Sequence, residues 1–488
     1  GWTFADSYWL LRDSLERIGR SIGLEKLGDE YRCENYPSCG HEGKCVFYAP
    51  FNDLRTYNER DCEVLYQALS RFQDEIMGMG GKLRQTIAST ALMLFRSAYL
   101  KQAIPTDFAM NNQAREAYIA SRVEVFAREC EQARGYDVNS SFPHSMTQAL
   151  PGALKSISRR WNGEPCAIVD AEVTVEHDIP PIPARVGSRI FFPNGTFRRR
   201  MTSDDLFLVL ESGGTINAVH ECWVFEPFYD MARYVETLYE MRRSTDDPFR
   251  KVVMKYLLNS LYGKTAEGED KAELLINPKK RPKCTKGPGC KKSCTCVEQY
   301  APGIYRVGKV VQVQHAHVPI AAAVTAKSRA LLTRALWRAK PYYCDTDSNY
   351  TSETLPESDA LGRMKLEKEL RQGVFLSPKL YRIEPADGSR PIIRSKGFRR
   401  LNDEEFFALA RGEGVAIRRM VRVQENFRAG IFSPRDEEFV KHAISHLTPD
   451  ELKRAGFRPG QVMRPKRCPL PDGRTRPWHV SELEEDAK

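Results

Sequence analysis

The chain has 488 residues, with 74 Lys and Arg against 64 Asp and Glu for a net charge of +10, and 41% of its residues are hydrophobic. That is ordinary globular composition at about three times the length of a ~150-residue domain, which excludes wholesale disorder and predicts several packed units. The basic excess suits a polyanionic partner without demanding one. Thirteen Cys, four of them within 284–296, read as reduced thiols and metal ligands and not as a secreted disulfide framework. No apolar run approaches the ~18 residues of a membrane span, and no secretory or transit leader is expected at the start. These features predict an intracellular, non-secreted chain. An initial Gly in place of Met is expected of a fragment or a product of processing.

In chain order, Ser7 to Ile18 carries apolar residues at helical spacing. A loop holding Cys33, Cys39, His41 and Cys45 follows, then an amphipathic helix from Tyr57 to about Phe72. Residues 104–136 read as a helical connector, and Gly135 to Ser140 as a strand entering a Phe-Pro turn. Strands are expected at 166–175 and 188–193. From Phe225 to Tyr262 the pattern is helical, broken at Ser244-Thr245-Asp246-Asp247-Pro248, so two antiparallel helices are expected. Residues 265–300 lose periodicity and read as an irregular Lys-, Pro-, Gly- and Cys-rich insertion. A helix at about 316–337, a strand from Pro341 to Asn349 and a mixed tail from 398, irregular over 459–478, complete the chain.

Two acidic segments carry candidate chemistry. Tyr136-Asp137-Val138-Asn139-Ser140-Ser141-Phe142-Pro143 sets Asp137 at a strand end, and Tyr343-Cys344-Asp345-Thr346-Asp347-Ser348 sets two Asp at i and i+2 in a hairpin turn. Oxygen donors gathered from two strands suit Mg²⁺, and two such ions ~4 Å apart can activate an attacking hydroxyl and stabilise a leaving pyrophosphate. Alone, Asp-x-Asp is equally what a solvated turn carries. A third segment, Lys255-Tyr256-Leu257-Leu258-Asn259-Ser260-Leu261-Tyr262-Gly263, puts Lys255, Asn259 and Tyr262 on one helical face. Arg243 across the Asp-Pro turn, Lys251 and Lys255 can grip a triphosphate, though a solvated basic face has the same pattern.

Asp-x-x-Ser-x-Phe-Pro, Lys-x-x-x-Asn-Ser-x-Tyr-Gly and Tyr-x-Asp-Thr-Asp-Ser, in this order, resemble motifs A, B and C of the family B DNA polymerases. Lys379-Leu380-Tyr381 resembles the family's primer-strand Lys-x-Tyr motif, Lys396-Gly397 a basic turn after it, and Tyr57 to Asp61 the third exonuclease motif, Tyr-x-x-x-Asp. Short fingers and long segments between the motifs look most like the protein-primed branch of viruses, linear plasmids and mobile elements. In that branch two extra regions, here about 149–225 and 265–310, are associated with terminal-protein contact, strand displacement and processivity.

The resemblance implies an α+β right-hand polymerase: an antiparallel-sheet palm, two-helix fingers, a small thumb and a partial exonuclease-like N-terminal region. The expected division is 1–105 exonuclease-like, 106–225 connector and palm, 226–264 fingers, 265–310 insertion, 311–398 palm, and 399–488 thumb and tail. It implies a primer-template DNA and dNTPs as partners, two Mg²⁺ or Mn²⁺ ions as cofactors, and a terminal protein as a further possible partner. Asp137, Asp347 and the Val138 carbonyl would hold the metals, with Asp345 nearby. Lys255, Arg243 and Lys251 would bind phosphates, while Asn259 and Tyr262 would line the nascent pair. Phe142, where the family usually has Tyr, would exclude a ribose 2′-hydroxyl. Tyr118, Lys379, Tyr381 and Lys396 would contact DNA. Only 56 residues precede Tyr57, without a convincing Asp-x-Glu motif, so no 3′–5′ exonuclease is expected of this polypeptide. A primer-independent polymerase and a silent DNA-binding scaffold of the same fold are the alternatives.

Cys284, Cys290, Cys294 and Cys296 lie among seven Lys and Arg, and offer either a tetrahedral Zn²⁺ site or free thiols. Cys33, Cys39, His41 and Cys45 offer a poorer version. His315 and His317 read as solvated or core histidines, Trp9, Trp161, Trp223 and Trp337 as core residues, and Arg198-Arg199-Arg200 as a solvated basic run.

Overall fold

The computed structural model describes residues 6–27, 51–268, 270–280, 282, 296–398, 400–421, 425–426, 436–457 and 463–484. They divide into two compact units. The first comprises 1–104, 146–149 and 228–265, and the second 105–145, 150–227 and 266–488.

The first unit is helical. Its helices are Leu15–Ile22, Phe51–Gly78, Ile87–Leu94, Asp230–Ser244 and Pro248–Thr265. The expected helix at Ser7 is a single 3₁₀ turn, Ser7–Trp9; the α-helix starts later because the Ser14 side chain caps it by accepting from Arg17 N–H. Trp9, expected in the core, is 51% exposed. The two antiparallel helices break at the Asp-Pro signal, and Asp247 accepts from Phe249 N–H at 3.0 Å to start the second. Tyr234, Phe95 and Tyr99 pack edge to face in the core, and the Tyr234 hydroxyl donates to the Leu257 carbonyl at 3.0 Å.

The second unit is built on a seven-stranded sheet in the spatial order 123–125, 341–345, 348–351, 129–138, 364–377, 380–385, 392–395. A four-stranded sheet (150–158, 215–228, 167–175, 195–202) accompanies it. Helix Val318–Trp337 joins both cores: Ala330 packs with Val169, Ala171 and Val173, whereas Leu332 and Leu336 pack with Phe126 and Cys344. A helix apolar nearly all round belongs inside. Its buried Arg329 is matched to Asp205 at 2.6 Å, and Asp205 also completes the capping box of helix Ser203–Glu211.

Three expectations are corrected here. The 104–136 connector is helical only over Phe108–Ala114, because Cys130, Ala133, Tyr136 and Val138 are buried in a strand from Glu129 that passes through Gln132 at φ +49°. The 265–300 insertion contains strands Asp270–Ile276 and Val297–Ala301, joined to Ile304–Val310 in an antiparallel sheet. Arg199 and Arg200 are not solvated: Arg199 donates to the Pro183 carbonyl, and Arg200 pairs with Glu221 at 2.8 Å over the Trp223 ring. Of the C-terminal residues, 463–484 reach the edge of the seven-stranded sheet, where Thr475 N–H donates to the Phe126 carbonyl and Arg128 N–H to the Gly473 carbonyl.

Candidate active site

The central strand Glu129–Val138 pairs antiparallel on both sides, with Asp137 opposite Ser348 in one neighbour and Lys365 in the other. Alternation buries Tyr136 and Val138 and leaves Asp137 half-buried on the other face. The strands approach closely at Gly135, where an added Cβ would lie 2.8 Å from the Tyr350 ring.

The expected strand at 341–349 is a hairpin, Pro341–Asp345 and Ser348–Thr351, with Thr346 at φ +65° in the reversal. A β-branched residue in the left-handed region is strained, and such strain collects at functional turns. Three backbone bonds hold it. Thr346 N–H donates to the Arg122 carbonyl at 2.8 Å, Asp347 N–H to the Asp345 carbonyl at 2.7 Å, and Val138 N–H to the Asp347 carbonyl at 2.9 Å. The last of these ties the strand end bearing Asp137 to the turn bearing Asp347. Arg122 is itself fixed: buried, it pairs with Glu124 and stacks on Phe192.

The two turn carboxylates have different surroundings. Asp345 receives the Lys379 ammonium on both oxygens, at 2.6 and 2.7 Å, plus hydroxyls from Thr346 at 3.0 Å and Tyr343 at 3.3 Å. Asp347 is pushed up to about 6, first by burial and then by the charge of Asp345, with Lys379 offsetting part of the rise. Among the described residues no three His, Cys, Asp or Glu side chains converge as a metal cage. The Val138–Asp347 bond sets Asp137 and Asp347 on neighbouring segments, two carboxylates that could serve as oxygen donors. That set fits Mg²⁺, which is ordinarily held by one or two carboxylates with phosphate and water oxygens completing its shell.

Beyond Val138 the chain turns through Ser140 at φ +53° into the short helix Ser141–Met146, which carries the half-buried Phe142. Ser141 shares a 2.7 Å hydrogen bond with Ser328 of the buried helix. Lys379 also has positive φ, +63°, and its N–H donates to the Tyr343 hydroxyl at 2.9 Å. Tyr381 lies in an aromatic cluster with Tyr343, Tyr350 and Phe375, at ring separations of 5.1 to 6.1 Å. Lys396 is exposed, with its N–H on the Lys379 carbonyl at 2.9 Å. Tyr118 is half-buried, and desolvation raises its phenol.

In the helical unit, helix Pro248–Thr265 buries Phe249, Val253, Met254, Leu257, Leu258 and Leu261. The opposite face exposes Lys251, Lys255 and Asn259, with Tyr262 half-buried a turn further on. Arg243 is exposed near the end of the preceding helix, 3.3 Å from Glu240. Tyr57 and Asp61 both face Lys26: its ammonium is 2.8 Å from Asp61 and 5.0 Å from the Tyr57 ring centre.

Cys284, Cys290 and Cys294 lie outside the described residues, as do Cys33, Cys39, His41 and Cys45; Cys296 is buried before the Val297–Ala301 strand. His317 is a core residue, its Nε2 on the Pro151 carbonyl at 3.1 Å. Sequence reasoning missed that Lys379 neutralises Asp345 and that the Arg122 carbonyl holds the turn. The signal for the first was a lysine before a tyrosine 34 residues downstream; for a backbone carbonyl there is none.

A palm sheet that delivers carboxylates from adjacent antiparallel strands, accompanied by a unit with paired helices, is the right-hand polymerase fold. The sequence pattern of DNA polymerase type B, organellar and viral, matches residues 48–336, and the chain belongs to that family. It is 27% identical over 380 residues to a probable DNA polymerase of Ascobolus immersus, covering 71% of this chain and 31% of the relative. It is 24% identical over 409 residues to the DNA-directed DNA polymerase of Enterobacteria phage PRD1, covering 77% and 69%. The fold matches phi29 DNA polymerase complexed with primer-template DNA and incoming nucleotide, with a TM-score of 0.65 at 17% identity, covering 89% of this chain and 79% of that one. The chain spans only about a third of the Ascobolus relative, and 39% of a Podospora anserina one. Among the described residues no helix is long and apolar enough to cross a membrane.

Proposed function

We propose that this chain is the polymerising part of a template-directed DNA polymerase, adding dNTPs to a primer 3′-hydroxyl in the replication of a virus, plasmid or mobile element inside its host cell. The observation that carries the reading is the 2.9 Å bond from Val138 N–H to the Asp347 carbonyl, which ties the strand end bearing Asp137 to the turn bearing Asp347.

In this reading Asp137, Asp347 and the Val138 carbonyl hold divalent metal, Mg²⁺ or Mn²⁺. Bound there, metal activates the primer hydroxyl and neutralises charge on the reacting phosphates. The protein's own contribution is positioning and charge. Lys379 holds Asp345 so that only Asp347 of the turn is left to ligate. Lys255, with Lys251 and Arg243, takes the outer phosphates, and Lys255 gives a proton to the departing pyrophosphate. Asn259 and Tyr262 line the nascent pair. The Phe142 ring lies under the sugar and rejects a 2′-hydroxyl. Tyr118, Tyr381 and Lys396 serve the DNA strands. Residues 226–264 act as fingers, 106–225 and 311–398 chiefly as palm, and part of 399–488 as thumb. The 265–310 insertion, with zinc on its cysteines, and a terminal protein as priming partner are the finer parts of the proposal.

Extension of a primed hairpin template with dNTPs, and separately with rNTPs, tests it. Extension with dNTPs alone is expected. Product on an unprimed single strand would instead favour primer-independent initiation, and DNA binding without extension would favour a silent scaffold.

A further inference from the structure

A cavity of about 270 Å³, lined in part by Val125 and by Leu376, Ser377 and Pro378, is not used by the polymerase reading. Its lining includes Arg128, Arg189, Lys466, Arg467 and His446, and among the described residues no Asp or Glu. Arg128 is matched to Glu451 at 3.1 Å. Arg467 is 5% exposed; its Nε donates to the Thr475 hydroxyl and its Nη2 to the Asp178 carbonyl, both at 2.9 Å. Its Nη1 is buried without a hydrogen-bond partner among the described residues. Lys466 donates to the Ile190 carbonyl and has no carboxylate within ion-pair distance among the described residues. The acid that acts on both cations is Glu124, already paired with Arg122.

A buried guanidinium nitrogen without an acceptor costs free energy unless something fills the gap. Burial pushes Lys466 down to about 8, with Arg189 adding to the fall, and Arg467 down to about 10. Neither cation is ion-paired among the described residues, although Glu124 acts on both and Asp178 on Arg467. Pro378, Pro465 and Pro469 stiffen the wall, and Ser377, Ser445 and Thr475 bring further polar groups to it. A second cavity of about 770 Å³ shares Arg189, Ser445, Pro465 and Pro469 with the first, and is lined by Phe191 and Trp478.

We infer that the smaller cavity is a binding site for a phosphate-bearing small anion of mononucleotide size, with the phosphate on Arg467 and Lys466 and the attached base in the adjoining aromatic cavity. Phosphate supplies the acceptors that guanidinium and ammonium lack here. The wall adjoins two residues bonded to Asp345: Pro378 directly precedes Lys379, and Val125 pairs with Tyr343. The inference does not depend on the polymerase reading.

The test is calorimetric titration of the full chain in EDTA with inorganic phosphate and with deoxyadenosine monophosphate. Saturable one-site binding is expected, tighter for the nucleotide, at least tenfold weaker in Lys466→Met and in Arg467→Met, and unchanged in Asp347→Ala. Circular dichroism identifies a variant that fails to fold, and Lys466→Met, at a half-buried position, is the safer of the two. A 5′-phosphorylated trinucleotide that displaces the mononucleotide would support a strand end as the natural source, and failure to displace it a free nucleotide. No saturable binding, binding untouched by Lys466→Met, or binding lost in Asp347→Ala would overturn the inference.

Discussion

Lys379 holds both carboxylate oxygens of Asp345, at 2.6 and 2.7 Å, from a left-handed backbone conformation that only a tightly determined surrounding maintains. The pairing leaves the two aspartates of one turn chemically unequal. Asp345 is engaged by an ammonium and two hydroxyls, whereas Asp347 carries the burden of burial and of its neighbour's charge.

Removing that ammonium is therefore expected to act on the chemical step more than on DNA binding. Lys379→Met leaves Asp345 uncompensated beside Asp347, and should lower kcat for primer extension by about 10²-fold, the scale of losing one preorganised electrostatic partner. Primer-template Kd should change less than threefold. Single-turnover extension beside a filter-binding titration separates the two; a large Kd change at unaltered kcat would make Lys379 a DNA contact instead.

Lys255→Ala should act on the incoming nucleotide. The side chain is exposed on a helix whose opposite face holds the packing, so the fold should be unaffected. Losing a phosphate contact and proton donor predicts a fall of about 10²-fold or more in kcat/KM for dNTP, at unchanged circular dichroism. Lys251→Ala should cost less, chiefly in KM.

Gly135→Ala tests how tightly the strands pack. The new methyl would meet the Tyr350 ring at 2.8 Å, and that ring is wedged against Tyr343, Phe375 and Tyr381. Overpacking of this kind costs ~1–3 kcal/mol. Urea unfolding should record it as a lower midpoint at unchanged slope.

His317 predicts a pH dependence of stability. Burial pushes its imidazole down to about 4, against an unfolded value of about 6.5. The unfolded chain thus takes up the proton first as pH falls. The stability associated with neutral His317 is complete above about 6.5 and is lost between there and about 4, by about 3 kcal/mol in all. His317→Gln should flatten that part of the urea-midpoint profile; an unchanged slope would assign it to other groups.

Much of this site was legible in sequence because its chemistry is written in side chains at short spacings. The placing of Asp137 at a strand end, of Asp345-Thr346-Asp347 in a turn and of Lys255 on a helix face follows from local pattern, whereas their joint reading as one site rests on the resemblance of the three motifs to the family. The 270–276 and 297–310 strands were hidden because the chain between them is long and rich in Lys, Pro, Gly and Cys, and pairing across such a gap leaves no local signature. In the misread 129–134 stretch the buried Cys130 and Ala133 stand three apart, with Gln132 at φ +49° between them, a spacing that strand alternation does not predict. Nor does spacing reveal that a lysine 34 residues away would neutralise Asp345.

The most direct test compares wild type, Asp137→Ala and Asp347→Ala on the same primed hairpin, with dNTPs and Mg²⁺, while primer-template binding is measured in parallel. The account predicts extension by wild type only, with each variant binding DNA within about threefold of wild type and losing at least about 10³-fold in rate, as removal of a metal-holding carboxylate should do. Extension by Asp347→Ala at a rate near that of wild type would contradict it.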